Sequence, residues 1–181
     1  MPGCRQGVVV SISSFTISIL ESPFAASDFA TVEEHETYAR AAMRDMLMRY
    51  EAPFASHLLY TQPGVLRDDV PKERAHGIVA GFAWSGAANR RVWYCNYGFS
   101  KGMRLAHKDA KSIGQEMLFR AWFPPAGGAI DTSEPAKEFN LIEWARGCWE
   151  ARDPWGRTSL GGDPTEAVQV MLSAGPREEL T

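Results

Sequence analysis

Arg91-Val92-Trp93-Tyr94-Cys95-Asn96-Tyr97-Gly98-Phe99-Ser100-Lys101-Gly102-Met103 is the stretch on which the fold turns. Its first five residues, with Val92, Trp93 and Tyr94 at their centre, form a β-branched and aromatic run that reads as a strand. Asn96 to Gly98 make a glycine-bearing turn. Ser100 then opens a helix running to about Lys111. A strand that passes through a tight turn into a helix presents free backbone N–H groups and the positive end of a helix dipole. In an open α/β sheet such a turn lies at the carboxyl edge, where ligands bind. The turn is therefore read as one wall of a small-molecule site, with Glu21-Ser22-Pro23-Phe24 as the opposite wall.

Working outward, the pattern repeats. Residues 8–20 are rich in β-branched residues and stop at Glu21-Ser22-Pro23. Phe15 to Leu20 is expected to be the core strand, and the residues before it a bent continuation or an extra edge strand. Thr31 with Glu34 forms a capping box, followed by apolar residues at helical spacing from Ala39 to Tyr50. Pro53 to Tyr60 reads as a second strand, with His57 and Tyr60 at its end. Asp68-Asp69-Val70-Pro71 starts the next helix, with a first-turn proline. Met117 to Ala121 is a fourth strand.

The order β-α-β-α-β-α-β argues for a parallel sheet with right-handed crossovers. A flavodoxin-like (Rossmann-like) order 2-1-3-4, flanked by helices, puts strands one and three side by side at the switch point. It sets Glu21 to Phe24 against Asn96 to Ser100. Residues 1–122 are read as this α/β domain. Phe123-Pro124-Pro125-Ala126-Gly127-Gly128 marks a boundary. Residues 123–181 are read as a helical, Trp-rich C-terminal extension. It would hold a helix from Ser133 to Trp149 and a capped one from Asp163-Pro164-Thr165-Glu166.

The chain has 181 residues, net charge −3 and 45% hydrophobic residues. That suits one domain, or a domain with an appendage, and gives no extended basic surface for nucleic acid. No apolar run reaches the roughly 18 residues of a membrane span. Cys4, Cys95 and Cys148 are scattered and the four histidines lack ligand spacing, so a reduced, cytoplasmic protein without metal or cofactor is expected. Phosphate-loop, dinucleotide and Gly-x-Ser-x-Gly motifs are absent.

Several runs together carry a resemblance: Glu-Ser-Pro-Phe-Ala at residues 21–25, Tyr-Ala-Arg at 38–40, Ala-Pro-Phe-Ala-Ser-His-Leu-Leu-Tyr-Thr-Gln at 52–62, and Tyr-Gly-Phe-Ser-Lys-Gly-Met at 97–103. Over residues 15–120 the chain resembles a family of small, mostly uncharacterised phage and bacterial domains. That family looks related to the nucleoside 2-deoxyribosyltransferases and nucleotide N-glycosidases. The resemblance implies a nucleoside or nucleotide ligand, N-glycosidic chemistry, and a homo-oligomer in the host cytoplasm if the gene is a phage's. In such enzymes a glutamate nucleophile sits in the first turn of the helix after the glycine turn. Here that position falls at Gly102 or Met103, with no carboxylate.

Cleaving an N-glycosidic bond needs a carboxylate near the anomeric carbon and an acid for the departing base. Glu21 is the favoured carboxylate, because it follows strand one directly; a surface ion pair is the plainer alternative. Asp28, Asp68 and Asp69 are further carboxylates, the last two most simply helix caps. His57 is the second catalytic candidate, as proton donor. Ligand contacts are expected from Ser22, Pro23, Phe24, Tyr60, Asn96, Tyr97, Gly98, Ser100, Gly102 and Met103. The aromatics would stack on a base, and the amides near Ser100 would meet a phosphate. A ligand-binding protein without turnover is the alternative, and an interaction module built on the Trp-rich extension a third reading.

Overall fold

The computed structural model describes residues 15–27, 30–124, 128–145 and 147–175. The extra strand before Phe15, Asp28 and the last residues of the chain lie outside them. Four parallel strands build the first part: β1 (Thr16–Glu21), β2 (Glu51–Phe54), β3 (Arg90–Tyr94) and β4 (Glu116–Ala121). Between them come α1 (Val32–Met48), the short α2 (Ser56–Leu59), α3 (Pro71–Ala83) and α4 (Lys101–Ser112). The sheet order begins β2-β1-β3-β4, as the alternating pattern requires.

Alternation along β3 feeds two cores. Val92 and Tyr94 join Leu20, Tyr38, Ala42 and Met46 on the α1 face. Trp93 and Cys95 join Met103, Ala106 and Phe119 on the α4 face. Helix α1 starts where the capping box places it. Thr31 Oγ1 accepts from the Glu34 N–H at 3.2 Å, and Glu34 Oε2 accepts from the Thr31 N–H at 2.7 Å. Its buried residues His35, Tyr38, Ala39, Ala42, Asp45 and Met46 follow the 3.6-residue period.

The α1 face also carries a buried ion network. Arg120 is 2% exposed and donates to Glu51 at 2.7 and 2.8 Å, to Glu138 at 2.8 Å and to the Tyr94 hydroxyl at 3.4 Å. It ties β2 to β4 across two intervening strands. The second carboxylate, Glu138, reaches in from the next strand.

Two expectations are corrected. The segment after Phe54 is helical, not strand. The Leu58 and Leu59 N–H groups both return to the Ala55 carbonyl, at 3.1 and 3.0 Å. Pro53, which cannot donate to a ladder, sits in a strand at the sheet's edge. His57 and Tyr60 thus ride on and just after a helical turn. The extension does end in a helix, α5 (Pro164–Ser173), capped by Asp163. The helix expected over Ser133–Trp149 is instead β5 (Lys137–Ala145) running into β6 (Cys148–Arg152), followed by β7 (Thr158–Gly161).

These strands are antiparallel and extend the sheet to seven, ending β4-β5-β6-β7. Phe139 and Leu141 are buried while Asn140 and Ile142 are exposed, a period of two rather than 3.6. Gly147, at φ +73°, allows the β5–β6 reversal. Helix α5 covers Phe139, Leu141, Trp149 and Ala151 and completes the α4-side core. The late tryptophans serve packing: Trp149 lies in that core, and Trp122 packs on Tyr38 and Tyr94.

Candidate active site

A cleft opens past the end of β1. Glu21, Ser22 and Phe24 form one side, His57, Tyr60 and Thr61 a second, and the start of α4 (Ser100, Gly102, Met103) a third. Helix α3 closes it with Arg74, Gly77, Gly81 and Phe82. The two glycines, four apart, let α3 come close: a Cβ on Gly81 would stand 2.8 Å from Ser56 Oγ. The enclosed space is about 90 Å³, with Phe24 and Tyr60 among its walls.

Glu21 is the last residue of β1 and its side chain is 14% exposed. Burial pushes its carboxyl up to about 7; Arg91 opposes this and Asp109 adds to it. Arg91 pairs with Ile19 in register on β3, so it lies on the same sheet face as Glu21. Its side chain is fully buried. It donates to Asp109 Oδ2 at 2.6 Å and to the Ala106 carbonyl at 3.0 Å, and also to Ser85. Glu21 Oε1 is the more distant partner, at 3.4 Å. The guanidinium is thus spent mainly on Asp109, which explains why it does not hold Glu21 ionised.

His57 Nε2 and Ser22 Oγ share a hydrogen bond of 2.8 Å. Burial lowers the imidazole to about 4, so it is neutral at pH 7. Phe24 meets its ring edge-on, with centroids 6.3 Å apart. On the far wall Arg74 pairs with Asp68, and Arg67 with Glu73 at 3.0 Å. Asp68 is therefore an ion-pair partner and not a cap; the N-cap of α3 is Val70, without a side-chain bond. Glu73 is held below the usual carboxylate range by the Arg67 N–H. Ser100 caps α4, accepting from the Met103 N–H at 3.2 Å. Among the described residues no group of three or more His, Cys, Asp or Glu could hold a metal ion. No described helix is long and apolar enough to cross a membrane.

A family model described as a domain of unknown function, DUF7768, matches residues 16–120. The chain belongs to the DUF7768 family. The match runs from the first residue of β1 to the penultimate residue of β4, so the DUF7768 region holds every cleft residue named above. It leaves β5 to β7 and α5 outside. No curated protein and no solved structure matches the chain.

Within the DUF7768 region, Glu21, Ser22, Phe24, His57, Tyr60, Ser100, Gly102 and Met103 come together as the sequence implied. Four expected ligand contacts stand elsewhere. Pro23 is buried beside the cleft and does not line it. Asn96 is consumed by the fold: its Oδ1 accepts from the Tyr38 hydroxyl at 2.9 Å and the Trp122 N–H at 3.0 Å, and its Nδ2 donates to the Trp122 carbonyl. Tyr97 packs on His35 and Tyr38, at 5.1 and 5.0 Å, toward α1. Gly98, at φ +72°, faces α5; a Cβ there would sit 2.3 Å from Thr165 Cγ2. Thr165 Oγ1 also accepts from the Phe99 N–H at 3.0 Å. The turn is thus braced from behind by the extension and offers the cleft only the start of α4.

Sequence reasoning weighed Arg74 on α3 as a phosphate contact but missed Arg91, Asp109 and the rest of the α3 wall. For Arg91 the signal was an arginine inside a β-branched strand, and for the wall Gly77-x-x-x-Gly81 within a helix.

Proposed function

We propose that the cleft cleaves N-glycosidic bonds of nucleosides, with Glu21 as the acid. The observation that carries this reading is a largely buried carboxyl, Glu21, at the carboxyl edge of β1 in the wall of the cleft; burial pushes it up to about 7, and the neutral His57 lines the same cleft. Near neutrality Glu21 keeps a proton that it can donate to a leaving base. As the C1′–N bond breaks, its electron pair goes to the base together with that proton, and positive charge develops on the sugar. The glutamate left behind is ionised and stabilises that charge, with Arg91 at 3.4 Å moderating its return. Water attacks C1′ and gives its proton to His57, which passes it back to Glu21. Ser22 orients the imidazole.

The cleft has room for a pentose ring, leaving the base toward Phe24 and Tyr60. The one arginine among its lining residues, Arg74, is already paired with Asp68, and the Glu73 carboxylate stands nearby. The lining thus offers no free cation to a phosphate, which favours an uncharged nucleoside over a phosphorylated one.

The second reading is a binding protein without turnover. It is favoured by Gly102 and Met103, which leave the first turn of α4 without a carboxylate nucleophile. Incubation with a panel of nucleosides, with base release followed by chromatography and binding by thermal shift, separates the two. Release that is lost in Glu21→Gln supports the enzyme, and a shift without release supports the binder.

A further inference from the structure

Helix α4 separates two sites of opposite character. Its first turn faces the acidic cleft. Its other face carries Arg104, Lys108 and Lys111 at intervals of four and three, a single stripe about 10 Å long. These three line a separate groove of about 630 Å³, walled on the other side by Glu143, Trp149 and the residues that open α5. That volume falls in the range of small-molecule sites. It lies behind α4, on the side bounded by β5, β6 and α5.

The groove combines an aromatic floor with a cationic rim. Phe99 and Trp149 are 7% and 9% exposed, and the half-buried His107 ring meets Trp149 edge-on at 5.4 Å. Lys108 has no carboxylate partner among the described residues. The ion pairs of the other two cations are long, and Arg104 also donates to Thr165 Oγ1 at 3.2 Å. Lys111 to Glu143 is 3.4 Å and Arg104 to Asp163 is 3.6 Å, both pairs solvent-exposed and weak. Asp163 is already engaged at the start of α5, accepting from the Thr165 and Glu166 N–H groups at 2.7 and 3.1 Å. The one acidic residue of α4, Asp109, is turned away into the Arg91 pair. In a chain of net charge −3, this helix face concentrates positive charge beside aromatic surface.

We propose that this groove binds a nucleoside diphosphate, its phosphates on Arg104, Lys108 and Lys111 and its base against the half-buried His107 ring, which Trp149 backs. Phosphates spaced along a stripe of cations satisfy the rim, and a planar base suits the accessible imidazole. A single-stranded nucleic acid fits less well, because its backbone tracks a long basic groove, whereas the stripe from Arg104 to Lys111 is about 10 Å long.

The test is calorimetric titration of the full chain with ADP, inorganic pyrophosphate, adenosine, a short oligothymidylate and a polyglutamate peptide. The same series is run on Lys108→Glu/Lys111→Glu and on Glu21→Gln. ADP is expected to bind more tightly than pyrophosphate, to lose at least tenfold in the double variant, and to be unaffected by Glu21→Gln. ADP binding that survives the double variant overturns the proposal, as does pyrophosphate binding as tightly as ADP. Binding of the oligonucleotide or the peptide alone would also overturn it. The Glu21→Gln series reads groove binding without the heat of base release in the cleft, so the two proposals can fail separately.

Discussion

At the residue scale, Glu21 links chemistry to pH. Its folded pKa lies above its unfolded value, about 7 against 4.5. The fold therefore favours the neutral carboxyl. That preference is fully present below about pH 4.5 and is lost as pH rises through about 7, a difference of about 3 kcal/mol. Glu21→Gln removes this loss. Denaturant unfolding should find the variant more stable than the parent at pH 8, with the gap closing by pH 4. His57 has the opposite sense: its folded pKa, about 4, lies below the ordinary 6.5, so its neutral form contributes above pH 6.5 and that contribution fades as pH falls through about 4. Turnover should follow a bell between these limits, with Glu21 setting the alkaline limb near 7 and His57 the acid limb near 4. A profile flat from pH 5 to 9 would remove Glu21 from the acid role.

At the element scale, two braces hold the cleft in place, and neither touches it. Arg120 anchors β2 to β4 through Glu51, which is 3% exposed. Arg120→Ala leaves that carboxylate only the more distant Arg90, at 3.6 Å, and should cost about 3 kcal/mol, read by chemical denaturation. Pairing it with Glu51→Gln should recover much of the loss. The second brace is Thr165 on Gly98 and Phe99. Gly98→Ala combines a left-handed φ with a clash on Thr165, and should destabilise by about 1–3 kcal/mol. The elements nearest this turn were legible, because Ser100, the Thr31 box and the Asp163-Pro164 start all state their helix ends locally. The strand β5 was not. Phe139, Ile142, Ala145 and Trp149 can be picked out at helical spacing, yet Phe139 and Leu141 decide the matter through contact with a sheet the sequence does not display. His57 was misplaced on a strand because β2 stops at Phe54 and the chain turns helical from Ser56, with Ala55 as its cap residue.

At the scale of the whole molecule, one parallel half and one antiparallel half share a seven-stranded sheet. The β2-β1-β3-β4 order was readable from alternation alone, and it set Glu21 beside the start of α4. The turn Asn96 to Gly98 was expected to face a ligand. It faces the extension instead, because Thr165 and the Gln169 side chain, which donates to the Asn96 carbonyl at 2.8 Å, occupy that side. Long-range contacts of this kind leave no local pattern to read. The extension is accordingly a structural part of the site, although it lies outside the DUF7768 match. Thr165→Val should reduce base release while leaving the helical content seen by circular dichroism in place.

The central claim rests on one carboxyl at the end of β1. Single-turnover incubation of the full chain with unphosphorylated nucleosides at pH 6, with free base quantified by chromatography, tests it most directly. Base release is expected, falling at least about a hundredfold in Glu21→Gln with nucleoside binding retained. Release that persists in Glu21→Gln, or no release from any nucleoside by the parent protein, would contradict it.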